Sequence, residues 1–254
     1  MCSSHDSRPP IAPADEPAPG RWVSVESADG SSFRAFRADA PQPTGVGMLV
    51  LPDYGGPGRF YTELGLRCAE AGLDSLVLDY YGRSAAPPPR EPNTFDHLDH
   101  AHRTTWRELQ ADALGAAAYL RRRQGANTLF SVGFCFGGRE SFLLGADDGL
   151  DMAGVIGFYG WPVGPFLNDM PAPADVVDRL RAPVLAIFGG ADAKIPRTDV
   201  ESFRTELARA AVESRVVTYA GAPHSFFDRT HERHREAADE AWTEVRAFVE
   251  AHAR

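Results

Sequence analysis

The chain has 254 residues, 43% of them hydrophobic and 24% charged, a balance that suits one soluble domain with a large core and excludes global disorder. Its 26 lysines and arginines against 35 aspartates and glutamates leave a net charge of −9, which offers nucleic acid no basic footprint and sets the chain against an anionic membrane surface. Three cysteines (Cys2, Cys68 and Cys135) are too scattered for a disulfide framework or a zinc ligand set.

Residues 1–20 are rich in proline, alanine, serine and aspartate without any period, and read as a flexible tail ahead of a single domain over 21–254. The N-terminus lacks the basic and apolar stretches of a secretory signal, and no apolar run nears the roughly 20 residues that cross a bilayer. A cytoplasmic monomer is the expectation. Trp22–Ser27 and Phe33–Arg37 alternate around Asp29-Gly30, a hairpin pattern. Continuous apolar runs follow at Val46–Leu51, Ser75–Leu78, Leu129–Gly133, Val155–Phe158 and Pro183–Phe188, with a last candidate strand at Arg215–Tyr219. Runs of that kind suit parallel strands covered on both faces.

Helical spacing fills the gaps at Phe60–Ala71, Trp106–Arg123, Arg139–Leu144, Thr198–Ala211 and Glu236–His252. The alternation predicts an α/β fold: a mostly parallel central sheet, an N-terminal antiparallel hairpin and helices on both faces. Its site should lie at the carboxyl ends of the strands. The segment from Ala85 to about Thr105 shows no clear period and reads as a short cap over that site.

The sharpest local feature is Gly133-Phe134-Cys135-Phe136-Gly137-Gly138, between a buried strand and a helix. A reactive side chain on so tight a turn needs neighbours without bulk two positions before and after it, and the glycines meet that need. A helix N-terminus there favours a thiolate, and the Phe136 N–H can donate to an oxyanion. A free cysteine at a strand end is otherwise a small buried hydrophobe. An orienting acid and a base should follow in chain order. Asp192 closes the run Phe188-Gly189-Gly190-Ala191, although it also suits a plain turn. Of eight histidines, only His224, in Ala222-Pro223-His224-Ser225-Phe226, comes just after a predicted core strand. His97, His100 and His102 fall in the cap. His231 and His234 lie among charged neighbours that mark a solvated face. No zinc or phosphate-cradle pattern occurs, so neither a metal nor a cofactor is expected.

Together, G-F-C-F-G-G at 133–138, G-G-A-D at 189–192 and A-P-H-S-F at 222–226 resemble the dienelactone hydrolase family of the α/β-hydrolase superfamily, over about Arg21 to the C-terminus. The resemblance implies Cys135 as nucleophile, His224 as general base and Asp192 as its orienting partner, with backbone N–H groups of Phe136 and Tyr54 as the oxyanion hole. It places Asp53 where the family has a longer gating glutamate. Two arginines hold a substrate carboxylate in the family. Arg83, in Tyr80-Tyr81-Gly82-Arg83, matches the first. The place of the second, four residues past the histidine, is Asp228, with Arg229 one step later, and an aspartate there opposes an acidic substrate. Ser225, Phe226 and Trp161 are the further expected substrate contacts. The expected activity is hydrolysis of a small ester or lactone. Acyl transfer or cyclisation with the same triad, and a non-catalytic binding protein on the same fold, remain the alternatives.

Overall fold

A computed structural model of the chain describes residues 7–88, 90 and 95–253. The hairpin forms as β1 (Gly20–Glu26) and β2 (Ser32–Ala38), paired antiparallel from Gly20 against Ala38 to Glu26 against Ser32. Then come β3 (Val46–Leu51), α1 (Arg59–Glu70), β4 (Leu73–Leu78), α2 (His97–Arg103), α3 (Trp106–Gln124), β5 (Thr128–Phe134) and α4 (Phe136–Leu144). The chain finishes through β6 (Gly154–Phe158), β7 (Val184–Gly189), α5 (Arg197–Leu207), β8 (Ser214–Tyr219) and α6 (Arg235–His252).

The eight strands make one sheet in the order β1-β2-β4-β3-β5-β6-β7-β8. β2 meets β4 antiparallel, and every later pairing is parallel. Every residue of β3, β6 and β7 is buried. Successive strand residues face opposite sides, so both sheet faces are covered in the middle. This is the mixed α/β architecture the continuous apolar runs predict. β8 pairs only with β7 and contains no buried residue, which explains its weaker apolar signal.

Two segments differ from their sequence reading. The aperiodic stretch 85–105 contains α2, whose seven residues begin at an Asp96 cap that accepts from the Asp99 N–H. A helix of two turns is too short to declare itself by periodicity. Part of the expected cap, Pro89 and Glu91–Thr94, lies outside the described residues. The other segment is the N-terminal stretch, of which 1–6 also lie outside. Its remainder runs along α1, where the N–H groups of Ala14 and Ala18 donate to the Glu70 carboxylate at 2.9 and 3.4 Å, and Ala18 packs with Ala38 and Ala69. A polar composition thus conceals specific backbone contacts.

The entry of α3 is held by a reciprocal cap: the Glu108 N–H donates to Thr105 Oγ1 and the Thr105 N–H to the Glu108 carboxylate, at 3.3 and 2.9 Å. Thr105→Ala removes half of it and should lower the unfolding free energy by about 1 kcal/mol, read from the urea midpoint. An unmoved midpoint would show that α3 is held by packing alone.

Candidate active site

The junction of β5 and α4 is the tightest place in the chain. Cys135 sits there with φ 55° and ψ −108°, a backbone region that L-residues avoid. Its N–H donates to the Phe158 carbonyl at 2.9 Å, and its own carbonyl accepts from the Arg139 N–H at 3.1 Å, an early bond of α4. A Cβ on Gly133 would stand 1.9 Å from the Gly137 carbonyl oxygen, and one on Gly137 would stand 2.2 Å from that of Leu51. Both obstacles are backbone, so no side chain could step aside. The spacing of small residues in the sequence therefore has a direct steric cause.

The β3–α1 loop is drawn against this turn. Pro52 O accepts from the Gly137 N–H at 3.1 Å and from the Tyr80 hydroxyl at 3.0 Å, while the Tyr81 hydroxyl donates to Tyr54 O. Asp53 is fully buried, and its Oδ1 accepts from the Gly55 N–H at 2.7 Å. These bonds fix the loop that carries Tyr54, with Pro52 joined to the first turn of α4.

On the other side, Asp192 Oδ2 lies 2.7 Å from His224 Nδ1, with both side chains almost wholly buried. Asp192 Oδ1 accepts from the N–H groups of Lys194 and Ile195 at 2.7 and 3.1 Å. The carboxylate is thus a turn residue and a histidine partner at once. The His224 ring is held between Tyr159 and Trp161, at centroid distances of 4.9 and 5.0 Å. Tyr159 follows Phe158, whose carbonyl accepts the Cys135 N–H, so the end of β6 serves as common ground for the Cys135 turn and the histidine loop.

Strain marks the same edge. Four described non-glycine residues have positive φ, and three of them are Cys135, Tyr159 and Ser225. Such conformations persist only where the surroundings over-determine them, and they gather at functional sites.

Not every expected contact reaches the site. Arg83 is turned to the hairpin and α3: its Nε lies 3.1 Å from Asp112 Oδ2, Nη2 is 2.8 Å from Ser27 Oγ, and Nη1 is 2.7 Å from Asp29 Oδ2. The expectation that it binds substrate is corrected on that ground, since two carboxylates already take up its fork of donors. Phe226 is fully buried against Tyr159 and Tyr219, as a core residue. Ser225 is buried, and its carbonyl accepts from the N–H groups of Arg229 and Thr230, closing the turn after His224. Asp228 is fully buried, with Oδ1 accepting from the Arg229 N–H at 2.5 Å. Trp161 does stand at the histidine, with Phe166 at 4.7 Å. Tyr159, Phe166 and Arg139 were not legible as site residues, since nothing local in the sequence sets them apart from their neighbours.

Burial raises several ionisable groups. It pushes the Glu140 carboxyl up to about 8, against a smaller pull from the Tyr80 hydroxyl. Tyr80 and Tyr81 lie well above their ordinary range, through burial and then the charges of Glu140 and Asp53 respectively. Cys68 is pushed up to about 12 by burial alone, which leaves it an inert thiol. Among the described residues, no three histidine, cysteine or acidic side chains are placed to hold a metal, and no helix is long and apolar enough to cross a membrane.

The profile of the dienelactone hydrolase family matches residues 33–253. The chain belongs to the dienelactone hydrolase family. A Saccharolobus solfataricus protein named "Putative carboxymethylenebutenolidase" is 25% identical over 257 residues, covering 87% of this chain and 95% of its own. A Methylorubrum extorquens protein of the same name is 28% identical, over 87% of this chain and 77% of its own. Among solved structures, a "Putative Dienelactone Hydrolase" from Klebsiella pneumoniae superposes with a TM-score of 0.80 at 26% identity, covering 91% of this chain and 98% of that one. The fold is that of the α/β-hydrolases, and the chain is a hydrolase of this family.

The Glu140 carboxyl ionises near its ordinary 4.5 in the unfolded chain but near 8 in the folded one. The unfolded chain therefore releases this proton first, and the carboxyl's contribution is complete below about 4.5 and lost as pH rises through 8. Glu140→Gln should flatten the fall of Tm between pH 5 and pH 8. An unchanged slope in a thermal series would contradict that assignment.

Proposed function

We propose that the chain hydrolyses a small, neutral ester or lactone through a Cys135–His224–Asp192 triad and a thioester acyl-enzyme. The observation that carries this reading is the buried Asp192–His224 pair at 2.7 Å, held on the sheet edge that also presents the strained Cys135 turn. With Nδ1–H donating to Asp192, the other ring nitrogen of His224 is in the form that accepts a proton.

In this reading His224 Nε2 takes the Cys135 proton and the thiolate attacks the substrate carbonyl. The N–H groups of Phe136 and Tyr54 stabilise the developing oxyanion. His224 then protonates the leaving alcohol as the tetrahedral intermediate collapses to the thioester. Water attacks that thioester, giving its proton to His224, and the acid product departs as the Cys135 sulfur leaves. Asp53, whose carboxylate accepts the Gly55 N–H, shapes the loop that offers Tyr54.

A neutral substrate is favoured by two features of this chain. Arg83 is taken up by Asp112 and Asp29, and Asp228 stands where the family's second arginine would. The groups around His224 are Tyr159 and Trp161, which suit an apolar acyl or alkyl group better than a charge.

Cys135→Ala should reduce release of p-nitrophenol from p-nitrophenyl acetate to background, a loss of about 10³-fold or more. The wild type should also turn over the neutral ester about tenfold or more faster than one carrying a free carboxylate. Persistent activity in the variant would overturn the nucleophile, and preference for the acidic ester would overturn the substrate class.

A further inference from the structure

Arg139 is a fully buried cation. It follows Gly138 in the first turn of α4 and its residue is wholly inaccessible to solvent. Its guanidinium has no carboxylate within ion-pair reach among the described residues. Instead Nε donates to Pro171 O at 3.1 Å, Nη1 to Trp161 O at 3.2 Å, and Nη2 to Gly164 O and Met170 O at 2.8 and 2.9 Å. All four acceptors belong to one loop, residues 161–171, which leaves β6 and closes around the cation. Burying a charge on carbonyls alone is expensive, and burial accordingly pulls the guanidinium down to about 10. A leucine here would be the simpler way to fill a core.

What the loop carries gives the arrangement its meaning. Trp161 packs on the His224 ring and Phe166 packs on Trp161. Phe166 also meets Phe136 at a centroid distance of 6.0 Å, and the Arg139 guanidinium lies 5.5 Å from the Phe166 ring centroid. Two aromatic rings thus form a wall from the proposed base to the proposed oxyanion residue. The loop's outer side is tied to the α2–α3 corner, where Asn168 Nδ2 donates to Thr104 O at 2.7 Å and the Trp106 N–H to Asp169 Oδ1 at 2.6 Å.

We propose that Arg139 is a positioning residue that fastens the 161–171 loop to the nucleophile helix, so that Trp161 and Phe166 form a rigid wall restricting the enzyme to short acyl groups. The size restriction rests on the hydrolytic reading above; the fastening does not. Only a planar fork with five donors meets four carbonyls at once. A lysine ammonium has three donors and must release at least one, which frees part of the loop without removing the charge.

The test compares kcat/KM for p-nitrophenyl hexanoate and p-nitrophenyl acetate in the wild type, Arg139→Lys and Phe166→Ala, together with hydrogen exchange of the peptide spanning 161–171. Both variants should raise the hexanoate-to-acetate ratio about tenfold, through a lower KM for hexanoate. Arg139→Lys should also speed exchange in the loop while β5 stays protected. A folded Arg139→Lys protein with unchanged ratio and unchanged loop exchange overturns the proposal. Should that variant fail to fold, an unchanged ratio in Phe166→Ala overturns it. If the wild type hydrolyses neither ester, the hydrolytic reading and the size restriction fall together, and the exchange measurement still decides whether Arg139 fastens the loop.

Discussion

Two further stretches of backbone, the ends of β3 and β6, close on the turn between β5 and α4, and that convergence is the constraint from which the remaining site follows. The Cys135 N–H donates to the Phe158 carbonyl, the Gly137 N–H donates to the Pro52 carbonyl, and a side chain is barred at Gly133 by the Gly137 carbonyl and at Gly137 by the Leu51 carbonyl. These contacts hold Cys135 in a conformation it would not choose. They also draw the ends of β3 and β6 to within one hydrogen bond of the Cys135 turn. The Tyr54 loop and the Tyr159–Trp161 segment are thereby delivered to the same spot from opposite sides. A parallel sheet makes this possible because all the central strands end at one edge.

The arginines of this chain illustrate how position decides the use of a charge. Arg83 binds Asp112, Asp29 and Ser27 and clamps the hairpin turn to α3, and Arg139 organises a loop through carbonyls alone. Neither is left to meet a carboxylate substrate. Next to Arg139 in α4, Glu140 is raised to about 8 by burial. A carboxyl so raised stays largely protonated at neutral pH and adds little negative charge to the buried start of α4.

Much of the architecture was legible because the central strands are buried on both faces and so read as unbroken apolar runs, as at Val46–Leu51 and Val184–Gly189. The Gly133–Gly138 pattern was legible for a steric reason, since only glycine tolerates those backbone approaches. Asp192 and His224 could be placed at the right edge because each closes a strand. Their 2.7 Å contact is a tertiary fact that no spacing contains. The fate of Arg83 was hidden for a related reason: its motif is local, but its partners Asp29 and Asp112 come from a turn and a helix remote in sequence. Helix α2 and the wall built from Trp161 and Phe166 were hidden too, because short helices and irregular loops leave no period to read.

The central claim is that Cys135 is a thiolate nucleophile maintained by His224. The pH dependence of alkylation by iodoacetamide, followed by mass spectrometry on the Cys135 peptide, examines it most directly. The account predicts labelling that persists well below the ordinary thiol pKa of about 8.5 and that moves up to the ordinary range in His224→Ala. Labelling of Cys135 that follows an ordinary thiol in the wild type, or that is identical with and without the imidazole, would contradict it.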